Sequence, residues 1–297
     1  MTRKSLFDGS GVTAAGGQES GLSAHFLPYA RSRQMENGAY SSWRYMDSGL
    51  PSVKDTFWAL RICKNLSAEA PSANRTRHWL ETGLSDIWGG GDMENIFYAL
   101  FSCRMLHLPW PDIGTWLERS SEFLLSEQTT DREAGGKIRD CLFWLHIERK
   151  NAVKLDEVRC RLGKYLESCQ KKVLNKQIGL DLPTYGALIE GLSLTNAPVT
   201  PSVGRFLERY RDDVTVYRLT PDSRTYSLET LWWGTRLDRQ LVNGKPSETG
   251  PLGELLESHK TRNGGYGSRP GAIPDLESTG MALDVLLWSE KRIEDGS

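Results

Sequence analysis

Six aspartates, each close to the start of an apolar segment, are the residues of this sequence with the clearest capacity for chemistry. A carboxyl group that is removed from water keeps its proton at a higher pH and can act as a general acid. An aspartate near a helix N-terminus can instead cap backbone N–H groups, which is worth about 0.5–2 kcal/mol. We expect capping to explain most of the six. They are Asp55, Asp92, Asp140, Asp181, Asp222 and Asp275.

Three of these aspartates are candidate catalytic acids. Asp55 and Asp275 lie in the two segments of the chain that repeat each other most closely, and Asp140 is followed by Trp144 and His146. If the following helices stand side by side in a ring, their N-termini point to one mouth, where a desolvated carboxyl would have a raised pKa. We predict Asp55 and Asp275 as first choices and Asp140 as the third.

Aromatic side chains on the same apolar segments are candidates for the wall of a substrate cavity. The faces of such rings can hold an apolar polyene and stabilise a developing carbocation. For any single residue, packing in the core is the simpler explanation, so the set indicates a cavity only if the fold is hollow. The candidates are Trp58, Tyr98, Trp144, Tyr185, Tyr226, Trp232 and Trp233.

A repeated sequence phrase must position these residues. Residues 38–60 and 265–283 both run from a glycine and a tyrosine, through a loop rich in proline and aspartate, to a Thr-x-x-Ala-Leu sequence that opens an apolar helix. Degenerate copies extend the pattern to six units, with spacings of 40, 44, 44, 41 and 54 residues between anchors. A repeat of this length is typical of arrays of one supersecondary unit. The anchors are Thr56, Ile96, Asp140, Thr184, Thr225 and Thr279.

A second phrase, in which Leu-Glu follows an aromatic residue or a leucine, recurs between the anchors. Apolar residues at helical spacing flank it and charged residues cover the other face, which predicts amphipathic outer helices. Residues 25–35 are the candidate sixth outer helix. The anchored helices are apolar around most of their circumference and are predicted to be inner helices. The phrase occurs at residues 79–81, 116–118, 165–167, 206–208 and 255–257.

These patterns predict an all-α fold. We favour an (α/α)6 toroid, a double ring of six inner and six outer helices, because closure removes the exposed ends of an open array. An open superhelix of helix pairs is the alternative. The predicted domains are a flexible N-terminal tail at residues 1–22, a single (α/α)6 barrel at 23–292 and a C-terminal tail at 293–297.

Composition and charge limit the possible partners. The 297-residue chain has a formal net charge of −1 and no basic blocks, which argues against a nucleic acid partner. No apolar run approaches the roughly 20 residues needed to cross a bilayer, and the N-terminus lacks the apolar core of a signal peptide. Five scattered cysteines without a CxxC pair fit a reducing compartment. We predict a cytoplasmic protein, and we leave open both contact with a membrane surface and the oligomeric state.

The repeat resembles that of protein prenyltransferase β-subunits and of squalene or terpene cyclases. The resemblance rests on the unit spacing over about residues 25–290, on the phrase at 165–170, and on the densely matching last unit. In that unit Leu-Glu-Ser-His-Lys at 256–260 precedes Gly-Gly-Tyr-Gly at 264–267 and the segment 275–279. The resemblance implies a toroid whose inner helices surround an aromatic-lined cavity for an isoprenoid chain.

The sequence departs from the zinc site of the prenyltransferases. These enzymes have a histidine directly before the threonine that corresponds to Thr279, and Ser278 stands at that position here. Asp140, Cys141 and His146 form a trio with the wrong spacing, and zinc needs three or four converging ligands. We therefore expect no metal.

The acid motif of class II terpene cyclases, Asp-x-Asp-Asp, is also incomplete. Its closest counterpart, residues 210–213, lacks the first aspartate. Residues 91–95 are a loose candidate for carboxylates that would hold Mg²⁺ against a diphosphate. We expect no cofactor, with Mg²⁺ an option only if a diphosphate is bound.

The leading hypothesis is an isoprenoid-handling enzyme of the terpene cyclase type, an isomerase or lyase in which a proton donor starts a carbocation cascade in an aromatic chamber. A non-catalytic (α/α)6 toroid that binds a lipid or a protein partner is the alternative, and it explains the absent motifs directly. A carbohydrate-active (α/α)6 barrel, which also uses aromatic platforms and paired carboxylates, ranks third.

Overall fold

The described chain is mostly α-helical. The computed structural model describes residues 19–42, 50–90, 92–109, 111–126, 133–151, 155–200, 202–211, 217–241 and 250–294. The first six helices are α1 (Glu19–Ser32), α2 (Val53–Asn65), α3 (Ala73–Gly90), α4 (Met93–Met105), α5 (Gly114–Ser126) and α6 (Ala134–Lys150). The others are α7 (Asp156–Leu174), α8 (Leu182–Leu194), α9 (Ser202–Leu207), α10 (Leu228–Leu241), α11 (Gly250–His259) and α12 (Leu276–Glu294). Two short antiparallel strands, β1 (Tyr266–Gly267) and β2 (Pro274–Asp275), precede α12. The predicted all-α class is confirmed.

The even-numbered helices contact one another in a closed series. Helix α2 packs against α4, α4 against α6, α6 against α8, α8 against α10 and α10 against α12, and α12 packs against α2. The odd-numbered helices lie beside them, with α1 on both α2 and α12, α3 on α4, α5 on α6, α7 on α8 and α9 on α10. Five of the six anchors lie inside the even-numbered helices. Thr225 does not, because α10 begins only at Leu228.

Burial separates the two sets of helices as the sequence predicts. In α4 every residue from Ile96 to Cys103 is buried, and in α8 every residue from Leu182 to Leu192 is buried. The odd-numbered helices bury one face instead, and the leucine of each Leu-Glu phrase is at most 2 % exposed. These leucines are Leu80, Leu117, Leu166, Leu207 and Leu256.

The two best-preserved units contain the same backbone turn. Gly38 and Gly264 have φ angles of +91° and +83°, a left-handed conformation that glycine adopts without strain. The N–H of Gly38 donates to Met35 O, and that of Gly264 donates to Thr261 O, both at 3.0 Å. Gly38 therefore corresponds to Gly264. The sequence analysis had instead begun the last phrase at Gly265.

The anchor threonine ties this turn to the helix that follows. In the first unit the N–H of Tyr40 donates to Thr56 Oγ1 at 3.1 Å, and in the last unit the N–H of Tyr266 donates to Thr279 Oγ1 at 3.0 Å. All four residues are buried. The repeated threonine thus has a structural role in both units.

Helix α4 ends in a Schellman motif, in which backbone N–H groups beyond the helix close onto its last carbonyls. The N–H of His107 donates to Arg104 O at 3.1 Å, and the N–H of Leu108 donates to Cys103 O at 2.9 Å. His107 has a φ angle of +58°. Ser67 after α2 and Asn196 after α8 adopt the same conformation.

Helices lie at both ends of the described residues. Helix α1 begins at Glu19, inside the segment predicted as a tail, and α12 extends to Glu294. Residues 1–18 and 295–297 lie outside the described residues. None of the helices in the described segments has the length and hydropathy to cross a membrane.

Candidate functional site

The starts of four even-numbered helices bring three glutamates around one lysine. Lys54 Nζ lies 2.9 Å from Glu277 Oε2 and 3.2 Å from Glu94 Oε1. Glu229 is close enough for the charge of Lys54 to act on its pKa. Each of these residues is the second of its helix, in α2, α4, α10 and α12. We call Lys54, Glu94, Glu229 and Glu277 the carboxylate cluster.

Glu277 is the residue of this cluster best suited to hold a proton near neutral pH. Its side chain is 31 % exposed. Burial raises its pKa to about 7, the negative charges of Glu229 and Asp275 act in the same direction, and the ion pair with Lys54 opposes them. Desolvation also raises the pKa of Glu229. Glu277 is therefore partly protonated at neutral pH.

Aromatic rings lie next to the carboxylate cluster. Tyr98 follows Glu94 by one helical turn, is only 5 % exposed, and has Lys54 Nζ 5.8 Å from its ring centroid. Its ring lies 4.9 Å from Phe57 and 6.1 Å from Phe143, measured between centroids. Burial, together with the charges of Glu277 and Glu94, raises the pKa of Tyr98. Tyr98, a predicted wall residue, thus joins the polar cluster to an apolar layer.

Asp55 lies in the first turn of α2, where it accepts two hydrogen bonds from Ser42. The Ser42 N–H donates to Asp55 Oδ2 and the Ser42 hydroxyl to Oδ1, both at 2.7 Å. Desolvation raises the pKa of Asp55, and these two hydrogen bonds oppose that change. Ser52, not Asp55, caps α2, because its side chain accepts from the Asp55 N–H at 3.2 Å.

Asp275 directly precedes α12 and caps it. The Ser278 N–H donates to Asp275 Oδ1 at 2.6 Å, and the Ser278 hydroxyl donates to Oδ2 at 2.8 Å. Desolvation raises the pKa of Asp275, and the negative charge of Asp55 adds to this effect. The structure therefore brings these two predicted residues to the same end of neighbouring helices. They are not equivalent in the repeat, because Asp275 occupies the cap position that Ser52 has in the first unit.

The other aspartates have different surroundings. Asp140 lies in the second turn of α6, so it does not cap that helix. Desolvation raises the pKa of Asp140, and the negative charges of Asp92 and Glu94 at the start of α4 raise it further. Asp92 and Asp181 cap α4 and α8, as we expected for most of the set. Asp222 is exposed in a turn that ends before α10 begins.

Two predicted wall residues, Trp58 and Trp232, contact each other in the interior. Their helices, α2 and α10, are separated by α12 in the closed series. The rings of Trp58 on α2 and Trp232 on α10 lie 6.4 Å apart. Trp233 packs edge-on against Trp232 at 5.0 Å and reaches α8 at Gly186. The structure therefore brings Trp58, Trp232 and Trp233 together.

The remaining wall candidates face the odd-numbered helices. Trp144 donates its Nε1–H to Leu117 O on α5 at 3.2 Å. The ring of Tyr185 lies 4.9 Å from that of Phe206 on α9. Tyr226 precedes α10 and lies 6.1 Å from the ring of His259 at the end of α11. The structure does not bring these three residues to the interior beside Trp58 and Tyr98.

A buried network of charged groups, which the sequence analysis missed, lies among the even-numbered helices α2, α6, α8, α10 and α12. Asp284 accepts from Arg61 Nη2 at 2.8 Å, from Asn65 Nδ2 at 2.7 Å and from Trp232 Nε1 at 3.0 Å. Nearby, Glu190 forms an ion pair with Arg236 at 3.0 Å, and His146 Nε2 lies 3.2 Å from Glu190 Oε1. The available signal was a lone aspartate in the apolar run from Met281 to Leu287.

Metal ligands are not assembled in this part of the molecule. Among the residues that the structure describes, no group of three or more His, Cys, Asp and Glu side chains is arranged to hold a metal ion. Ser278, at the position where the prenyltransferases have histidine, donates its hydroxyl to Asp275.

The chain matches no protein-family model, and no curated protein sequence matches it.

Proposed function

We propose that this protein is an (α/α)6 toroid that binds an isoprenoid chain and protonates it at the carboxylate cluster. The closed series of contacts from α2 to α12 and back supports an inner ring, and the odd-numbered helices beside it support an outer ring. The repeated turn that ends at Thr56 and Thr279 supports a common origin for the first and last units. In such a ring all the inner helices present their N-termini at one mouth.

A single observation supports the acid chemistry: Glu277, with its pKa at about 7, lies beside Lys54 and near the aromatic layer of Tyr98 and Phe57. A protonated Glu277 would transfer its proton to an alkene carbon, leaving a carboxylate that Lys54 stabilises. The resulting carbocation would face aromatic rings. Loss of a proton from the cyclised cation to Glu277 would complete the cycle without a further reactant.

Asp55 and Asp275 act as supporting groups in this proposal. Each accepts a backbone N–H and a hydroxyl from one serine, and such hydrogen bonds favour the charged form of a carboxylate. The charge of Asp275 in turn raises the pKa of Glu277. In this proposal the proton donor is therefore Glu277, two positions after Asp275, and not Asp55 or Asp275.

A second candidate function, a non-catalytic toroid that binds a lipid or protein, is favoured by the side chains that meet between the even-numbered helices. Trp58 and Trp232 meet across the helices, and the pairs of Asp284 and Glu190 occupy the space beyond them. Under this reading the cluster around Lys54 is a structural ion pair.

The two functions differ in their response to a polyene in D₂O. Squalene-type polyenes and prenyl diphosphates are incubated with wild type, with Glu277→Gln and with the exposed control Glu118→Gln, and products are analysed by mass spectrometry. A cyclised product that carries one deuteron and disappears only in Glu277→Gln supports the enzyme. Thermal stabilisation without product favours the binding protein, and the absence of both contradicts both candidates.

If Asp55 or Asp275 were the proton donor, the corresponding asparagine variant would be folded and inactive. In our proposal both asparagine variants retain some turnover, and Glu277→Gln retains none. A folded Asp55→Asn or Asp275→Asn variant without turnover, beside an active Glu277→Gln, would reassign the acid.

A further inference from the structure

Two carboxylates share one ammonium group in the carboxylate cluster. Lys54 Nζ lies 2.9 Å from Glu277 Oε2 and 3.2 Å from Glu94 Oε1. Burial would lower the pKa of Lys54, but the negative charges of Glu277 and Glu94 outweigh burial and raise it, so the ammonium group stays charged at neutral pH. One cation cannot neutralise two carboxylates. A proton taken up by either of them removes the surplus negative charge.

The surroundings of the two carboxylates favour the proton on Glu277. The Glu277 side chain is 31 % exposed, whereas that of Glu94 is 42 % exposed. The negative charges of Glu229 on α10 and Asp275 on β2 also act on Glu277. When Glu277 takes up a proton, Glu94 therefore remains as a charged partner of Lys54.

Further charged groups at this end of the helices act on the pair through its neighbours. Arg139 of α6 and Asp181 of α8 act on Glu229 with opposite signs, and Arg139 Nη2 lies 3.8 Å from Asp181 Oδ2. Asp55 of α2 adds negative charge beside the aspartate that caps α12. On Glu277 itself, the shared ammonium group is the cation with the largest effect.

Helix α2 places Lys54 between α4 and α12, its two neighbours in the closed series. On the α4 side, Lys54 Nζ contacts Glu94 and lies 5.8 Å from the centroid of the Tyr98 ring, whose face attracts a cation. On the α12 side, it contacts Glu277. Two groups of α4 thus compete with Glu277 for one ammonium group.

We propose that Glu94 is a positioning residue, which holds Lys54 towards α4 and so prevents it from pairing fully with Glu277. The inference rests on the proposed function, since it concerns the same proton donor. With Lys54 shared, Glu277 keeps its proton until an alkene carbon takes it. The ammonium group is still within reach of the carboxylate that the proton transfer leaves behind.

The test follows the titration of Glu277 itself in the full-length protein. The NMR resonance of its carboxyl carbon is identified by its loss in Glu277→Gln. This resonance is then followed with pH in wild type, in Glu94→Gln, in Glu94→Asp and in the exposed control Glu118→Gln. Turnover of the squalene-type polyenes is measured over the same pH range.

In Glu94→Gln the ammonium group is free to pair with Glu277, so the titration midpoint of Glu277 should lie at least about half a pH unit below that of wild type. Glu94→Asp keeps the charge and should return the midpoint towards the wild-type value. Glu118→Gln should leave it unchanged. An unchanged midpoint in Glu94→Gln, or an equal change in Glu118→Gln, would overturn the proposal.

The role of Glu94 and the proposed reaction can fail separately. A lowered midpoint in a protein that forms no product supports the role of Glu94 and contradicts the reaction. Product formation with an unchanged midpoint supports the reaction and contradicts the role of Glu94. If both hold, turnover in Glu94→Gln should decline at a lower pH than in wild type, because Glu277 loses its proton earlier as the pH rises.

Discussion

Ser42 donates both its backbone N–H and its hydroxyl to the carboxylate of Asp55, each at 2.7 Å. The same hydroxyl accepts from the N–H of Leu276 at 2.9 Å, across 234 positions of sequence. The segment before α2 is therefore joined to the first residue of α12. This junction depends on Asp55 as an acceptor.

Replacing Asp55 with alanine should destabilise the protein by about 1–3 kcal/mol, because the N–H of the buried Ser42 would lose its acceptor. Urea unfolding measures the change in the free energy of unfolding. Asp222→Ala, at an exposed turn, is the control and should change it by less than about 0.5 kcal/mol. Equal effects of the two substitutions would show that the Ser42 hydrogen bonds contribute nothing to stability.

Glu277 should make the protein less stable as the pH rises towards neutrality. Its pKa in the folded protein is about 7, above the ordinary value of 4.5, so the folded state binds this proton more tightly than the unfolded state. The contribution is complete below about pH 4.5 and is lost as the pH rises through about 7.

Glu277→Gln cannot titrate, so the free energy of unfolding of the variant relative to wild type should increase between pH 4.5 and pH 7. Urea unfolding at a series of pH values measures this difference, with Glu118→Gln as the exposed control. A difference that stays constant across the range would mean that the pKa of Glu277 is not raised.

Asp284→Ala should destabilise the protein by about 3–5 kcal/mol, because it removes the anion paired with Arg61 in the interior. Urea unfolding measures the change, to which the lost acceptor of the Trp232 Nε1–H also contributes. The double variant Arg61→Met with Asp284→Leu should recover only part of the loss, because Asn65 and Trp232 would still lack their acceptor. Asp156→Ala, which breaks an exposed pair with Arg159, should cost less than about 1 kcal/mol.

Gly280→Ala tests the close approach of α12 to α2. A Cβ atom at Gly280 would lie 2.4 Å from Trp58 Cε3, so the two helices would have to separate, at a cost of about 1–3 kcal/mol. Gly253→Ala in α11, where a Cβ atom meets nothing within 4 Å, should instead stabilise by about 0.5–1 kcal/mol. Stabilisation by both substitutions, measured by urea unfolding, would contradict the contact.

Much of the helix order could be predicted from the sequence because local patterns encode it. Apolar spacing distinguishes the one-sided helix around Leu166 from the fully buried helix around Ala187, since a helix covered on all sides needs apolar residues on all faces. The fifth anchor was misplaced at Thr225 because a threonine also occurs inside α10, at Thr230, where it forms the reciprocal cap with Ser227.

The carboxylate cluster could not be predicted in the same way. Lys54, Glu94 and Glu277 each read as an ordinary exposed residue at a helix start, and only the tertiary arrangement brings them together. The sequence also did not indicate that Trp144 and Tyr185 point towards the odd-numbered helices. Residues on every face are buried in α8 and in the second half of α6, so sequence spacing does not indicate which aromatic residue points inward.

The packing of α12 against α2 has a consequence for the order of folding. The pair of Arg61 and Asp284 joins residues 223 positions apart, and closing so long a segment costs more chain entropy than forming the neighbouring helix contacts. On the ribosome, α1 and α2 emerge long before α12, so their apolar surface waits for the end of synthesis to be covered. Helices α1 and α2 are thus made before α12 but are covered only once α12 has been made.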